Sequence, residues 1–167
     1  DFDDLIDIDN SFEQTINQSE PGRRFSFSKF GSATNDFNAM ADNVAEAERL
    51  GVHTVWSAEA WGTDAFVPLA YLAGRTSTIR LATGIAQVTA RTPVTTAMTA
   101  MTLDHMSGGR MVLGLGVSGP QVVEGLHGQS YARPLERLRE TVDVIRLAMR
   151  GEKVEYHGKQ IELPRPG

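Results

Sequence analysis

Glu59 is the one carboxylate placed where a parallel α/β chain puts its chemistry, at the C-terminal end of a strand, with Trp56 and Trp61 on either side. An acid held between indoles loses hydration, which raises its pKa and suits it to donate or accept a proton. The same carboxylate can instead be structural, paired with an arginine or accepting loop amides, and the residue types alone leave both readings open. Three strand glycines, Gly84, Gly114 and Gly116, also need a reason, because glycine weakens a strand. Either a flat ligand approaches the backbone there, or neighbouring strands crowd it. Gly114-x-Gly116-x-x-Gly119 has dinucleotide-fingerprint spacing, but it lies in and after a strand and is followed by Pro120. It also lacks an acid at the end of a next strand, so the Rossmann reading is set aside.

Other chemistries are excluded more simply. The chain has no cysteine, so disulfides, thiolate metal sites and cysteine nucleophiles are ruled out. The four histidines, His53, His105, His127 and His157, do not have metal-ligand spacing, and no metal is expected. Only His127, in a loop after the fourth strand, could reach a strand-end site. Ser118 has no identifiable base.

The elements that must position these residues alternate along the chain. RFSFSKF alternates as a strand from Phe25, and Asn35 to Leu50 places Phe37, Met40, Ala41, Val44, Ala47 and Leu50 on one helical face that Gly51 closes. A strand in VHTVWSAEAW is followed by a helix over about 64–74 and a strand in STIRLATGIAQV. Thr92 and Pro93 open a helix as N-cap and first residue, and it runs to about Met106. RMVLGLGVSG is the fourth strand. Pro134 starts an amphipathic helix with Leu135, Leu138, Val142, Ile145 and Met149 on one face, and KVEYHGKQIEL reads as a hairpin turning at His157-Gly158. This rhythm means parallel strands joined by right-handed crossovers, an α/β fold. Ligands then belong at the four strand ends: 29–34, 57–61, 84–87 and 116–121.

The 167 residues carry a net charge of −5, but the charge is uneven. Residues 1–20 hold seven acids and no Lys or Arg, whereas the other 147 carry 14 acids and 16 bases. The body is therefore near neutral with scattered basic residues, which argues against nucleic acid as a partner. No apolar run is long enough to span a bilayer and the acidic start is unlike a signal peptide, so no membrane partner and a cytoplasmic address are expected. Residues 1–22 are read as an acidic tail ahead of a domain over 23–167. The tail is either solvated or a docking segment whose Leu5, Ile6, Ile8 and Phe12 fill a groove.

TVWSAEAWGTDAF, LATGIAQVTARTPVTTAM, LDHMSGGRMVLGLGVSGPQVVEGLHG and the PLERLRETVDVIR helix together resemble the luciferase-like monooxygenase superfamily, and within it the oxidoreductases that use coenzyme F420. The resemblance covers roughly 25–167. It implies the first half of a (β/α)8 barrel, a partial TIM barrel with about four parallel strands and the hairpin, with the cofactor at the C-terminal mouth. It also implies hydride transfer to or from a small organic substrate. Gly84-Ile85 matches a non-prolyl cis peptide that backs the deazaflavin ring; Gln87, Ser118 and Gly119 match further cofactor-facing positions. Glu59 matches an acid that approaches the ring and is the catalytic candidate. Relatives acting on sugar phosphates carry histidine directly after that acid, and some carry a catalytic glutamate after the fourth strand. Here Ala60 and Ser118-Gly119-Pro120 stand there, which argues against sugar-phosphate chemistry.

A complete barrel takes about 250 residues. The chain is thus expected to hold half of one, without the phosphate-binding loops after strands seven and eight, and to be inactive alone if truncated. FMN is the alternative cofactor, in a luciferase-like monooxygenase, and a non-catalytic half-barrel assembly protein is the alternative class. A half barrel exposes strand edges and apolar interior, so a homo-oligomer, a complementary C-terminal half or the acidic tail is expected to cover them.

Overall fold

The computed structural model describes residues 6–7, 24–26, 37–59 and 63–165. Its elements are β1 (Ile6–Asp7), β2 (Arg24–Ser26), α1 (Phe37–Arg49), β3 (Thr54–Ser57), α2 (Phe66–Ala73), β4 (Arg80–Thr83) and β5 (Ala86–Gln87). They continue with α3 (Pro93–Ser107), β6 (Met111–Gly116), α4 (Pro120–Val123), α5 (Pro134–Met149), β7 (Tyr156–His157) and β8 (Glu162–Leu163).

Four parallel strands lie side by side in the order β6-β4-β3-β2, as the alternation of strands and helices predicts. β5 continues from β4 and pairs with the far end of β6, Gln87 opposite Gly116. β7 and β8 form a separate antiparallel hairpin. The core lies between sheet and helices, where Val55, Leu81, Leu113 and Leu115 meet Val44, Leu69, Leu72 and Ile145. Each fully buried leucine there contributes about 2 kcal/mol. Ala97 and Ala100 on the inner face of α3 are fully buried among them.

Local signals acted as their chemistry requires. The Thr92 side chain accepts from Thr95 N at 3.3 Å and Pro93 begins α3, where a missing N–H costs nothing. Gly108, at φ +71°, ends that helix in the left-handed conformation.

Several expectations need correction. Phe37, Leu50 and Leu135 are 37%, 58% and 64% exposed, so none belongs to the core. Phe37 and Leu50 sit at the ends of α1, and Leu135 lies about 50° off the buried stripe at 100° per residue. α5 is instead buried along a second flank, because the hairpin packs there. The Glu140 carboxylate accepts the backbone N–H groups of Lys159, Gln160 and Ile161 at 2.8–2.9 Å. Tyr156 is held on the same flank, its hydroxyl donating to Asp143; burial and that bond push its pKa up to about 12. The hairpin turns over 158–161, not at His157-Gly158: His157 pairs with Glu162 and Gly158 N donates to Ile161 O. The short helix α4 was not anticipated. Apart from these corrections, two residues of the segment read as an acidic tail form β1 and pair parallel with β6, Ile6 opposite Leu113 and Asp7 opposite Gly114, in line with the docking alternative for that segment.

Glu48 pins the loop before β4. Its carboxylate accepts the N–H groups of Ser77, Thr78 and Ile79 and the Thr78 hydroxyl. Partial burial pushes this carboxyl up, but the four hydrogen bonds outweigh it and draw its pKa down to about 2. A depressed folded-state pKa means stability that is complete above the unfolded value of 4.5 and lost as pH falls toward about 2. Acid titration of thermal stability should therefore show a smaller loss in Glu48→Gln than in wild type within that window. Parallel curves would remove Glu48 from the account.

Candidate cofactor site at the strand ends

The C-terminal ends of β3, β4 and β6 meet around Trp56. Its indole, at the register position opposite Ala82, fills the space beside two glycines. A Cβ on Gly84 would lie 2.9 Å from Trp56 Cε3, and one on Gly114 would lie 3.6 Å from Trp56 Cζ3. The Gly114 Cβ would also stand 2.1 Å from the Thr83 carbonyl oxygen, and one on Gly116 2.8 Å from the Ile85 side chain. Crowding by neighbouring strands therefore accounts for all three glycines, and the flat-ligand reading is not required for them.

Beyond β4 the chain steps outward through Gly84-Ile85, joined by a cis peptide as the resemblance implies, before pairing again as β5. Glu59 grips this step. Its N–H donates to Ile85 O at 3.3 Å, its Oε2 accepts from Gln87 N at 2.8 Å, and its carbonyl accepts from Gln87 Nε2 at 3.1 Å. The remaining oxygen, Oε1, lies 2.5 Å from Arg91 Nη1, and the Glu59 side chain is only 8% exposed. Arg91 also pairs with Asp64 and lies over the Phe66 ring, 4.9 Å from its centroid. Asp64 in turn accepts from Phe66 N and Val67 N at 2.7 Å, starting α2. Both Glu59 oxygens are thus engaged, by an arginine and by a loop amide. These are the partners of the structural alternative.

Glu59, Gly84, Ile85 and Gln87 are therefore brought into one cluster. Ser118 and Gly119 follow β6 by two and three residues, and Gln87 stands opposite Gly116. Ser118 adopts φ +57°, and its carbonyl accepts the Tyr131 hydroxyl at 3.0 Å. Trp61, Ala60 and the stretch 29–34 lie outside the described residues. Of the histidines, His53 Nδ1 lies 3.1 Å from Thr54 Oγ1 at the opposite end of β3, and His157 Nδ1 lies 2.6 Å from Glu162 on the hairpin.

Residue reasoning missed Arg91 and Asp64. The available signal was positional, since Arg91 immediately precedes the N-cap of α3 and so returns to the strand ends beside Glu59.

Two polar atoms fit a ligand. Trp56 Nε1, a donor, and Gln87 Oε1, an acceptor, are buried and have no hydrogen-bond partner among the described residues. Unmet buried groups of this kind cost about 1–3 kcal/mol each, and a planar heterocycle bearing both carbonyl and N–H groups could satisfy them. Among the described residues no three His, Asp or Glu side chains are grouped as a metal site, and no helix is long and apolar enough to cross a membrane.

The model of the luciferase-like monooxygenase family matches residues 20–167. A Mycobacterium tuberculosis protein, provisionally named a coenzyme F420-dependent oxidoreductase, is 52% identical over 128 residues, 76% of this chain and 37% of that protein. The structure of the coenzyme F420-dependent tetrahydromethanopterin reductase of Methanopyrus kandleri superposes with a TM-score of 0.70 at 26% identity, over 84% of this chain and 43% of that one. The fold also matches the FMN-bound oxygenating constituent of 3,6-diketocamphane monooxygenase of Pseudomonas putida. There the TM-score is 0.74 at 18% identity, over 87% and 45% of the two chains. The chain thus spans less than half the length of these proteins.

Proposed function

The chain belongs to the luciferase-like monooxygenase family, and from that premise we propose that it contributes the first-half strand ends of a coenzyme F420 site in an oxidoreductase acting on a small organic substrate. The observation that carries this reading is the pair Trp56 Nε1 and Gln87 Oε1, buried and without a hydrogen-bond partner among the described residues, at the strand ends where a parallel barrel binds its ligand. The preference for F420 over FMN rests on the 52% identical relative.

In this reading Gly84 and Ile85 form the ledge against which the ring lies. Gln87 bonds its edge, and Ser118 and Gly119 border it from the loop after β6. The deazaflavin supplies the hydride chemistry when bound; the protein supplies position and exclusion of water. Glu59 is the acid of the site. Its grip on Ile85 and Gln87 makes it a positioning residue first, and any proton transfer through it requires Arg91 to release Oε1. The other loops of a closed barrel come from further polypeptide, whether the rest of a longer chain, a second copy or a separate C-terminal half.

Absorbance titration with F420 and with FMN tests the proposal. F420 should bind the more tightly, and Arg91→Met, which frees Glu59 from its anchor, should weaken it about tenfold, or ~1.4 kcal/mol. Tighter FMN binding would turn the reading toward a flavin monooxygenase. Binding of neither up to tens of micromolar, roughly 6 kcal/mol of affinity, would leave a half-barrel assembly protein.

A further inference from the structure

We propose that the outer edge of β6 is a docking site for a parallel strand, and that the chain's own N-terminal segment occupies it, standing where a following barrel strand would pair. The pairing pattern of β6 shows which way its backbone points. Arg110 O accepts from Leu81 N, Gly114 N donates to Thr83 Oγ1, and Gly116 O accepts from Val88 N. Even-numbered residues thus face β4 and β5. Alternation along the strand turns the N–H and C=O groups of Leu113 and Leu115 the opposite way, toward the open edge. Both residues are almost completely buried, at 0% and 1% exposure, where an unpaired backbone group is costly.

Ile6 stands opposite Leu113 and Asp7 opposite Gly114, in parallel register. Parallel is the direction that successive strands of this sheet already use. Yet the segment lies outside the residues matched by the family model, 20–167. The segment thus pairs with the sheet of the family domain from outside the matched residues. Its sequence, Asp3-Asp4-Leu5-Ile6-Asp7-Ile8-Asp9, is suited to ending a sheet. It combines apolar residues with acids, a composition that edge strands use against further pairing. While it is docked it holds the edge of β6, so a barrel strand from further polypeptide has to displace it to pair there.

The test is residue-resolved hydrogen exchange on the whole chain. In the double variant Ile6→Pro, Asp7→Pro, proline removes both donors from the segment. The Leu113 amide should then exchange at least tenfold faster than in wild type. The neighbouring Gly114 amide, bonded to Thr83 Oγ1 on the other side, serves as the internal control and should not change. Equal Leu113 rates in the two proteins would overturn the proposal. So would equal acceleration at Gly114, which would mean general loosening of the sheet. Leu113 protection that rises with wild-type concentration would assign the edge to a second copy and overturn the assignment to the chain's own segment.

Discussion

Gly114→Ala is expected to destabilise the fold by about 3 kcal/mol or more, the upper range for overpacking a close-packed interior. The added Cβ would stand 2.1 Å from the Thr83 carbonyl oxygen and 3.3 Å from its carbon. Backbone is the obstacle, so no side chain can rotate away, and β4 must separate from β6. That separation would also break the reciprocal pair in which Thr83 Oγ1 donates to Gly114 O at 2.7 Å and accepts from Gly114 N at 2.9 Å. Gly116→Ala is the matched comparison. Its Cβ would meet the Ile85 side chain, which can change rotamer, and about 1 kcal/mol is expected. Urea unfolding of both variants checks this, with the slope against denaturant confirming that the native state is unchanged. Equal midpoints would mean that strand crowding is not what selects glycine at 114.

Arg110→Met should cost about 3–4 kcal/mol, because the side chain ties three segments together at the N-terminal end of the sheet. Its guanidinium makes five hydrogen bonds. Nε donates to Ser107 O at 2.6 Å, Nη1 to Thr76 Oγ1 and Ile79 O, and Nη2 to Ala73 O and Thr76 O. Those acceptors close α2, the loop before β4 and α3, and all are neutral. Arginine's five donors in a planar fork match this set, whereas lysine has three donors on a single point. Arg110→Lys is therefore expected to recover less than half of the loss. Because Arg110 lies at the end of the sheet away from the proposed cofactor site, cofactor affinity per folded molecule should be unchanged. A methionine variant within about 1 kcal/mol of wild type would mean that water replaces the guanidinium at those carbonyls.

How much of this could be read in advance depends on the range of the interaction. Thr92-Pro93 and Gly108 act within one turn of their own helix, and both behave as their local chemistry dictates. Parallel strand order followed from the alternation of strands and helices, and the Gly84-Ile85 step from the family resemblance. Arg110 could be read only as the start of a strand, since its acceptors lie up to 37 residues away. Glu48 and Glu140 look like ordinary surface acids on helices. Their role emerges only when a loop about thirty residues on, or a hairpin about twenty on, brings backbone N–H groups to them. Leu135 was misplaced for a related reason. The hydrophobic stripe of a helix says which residues prefer burial, not which flank a neighbour will cover.

The site divides in the same way. Residue types and strand position were enough to single out Glu59 and the strand glycines and to exclude thiolate chemistry, because both are properties of the linear chain, whereas Ile85, Gln87, Ser118 and Gly119 became candidates only through the family resemblance. Whether Glu59 stands free between indoles or is held by Arg91 and the Gln87 amide could be decided only by the fold, since those partners lie about thirty residues away. The glycines follow the same rule. At Gly114 the absence of a side chain is written in the sequence, but the atom that forbids one is the Thr83 carbonyl on a neighbouring strand. Close packing between segments remote in sequence sets that distance, and no local pattern encodes it.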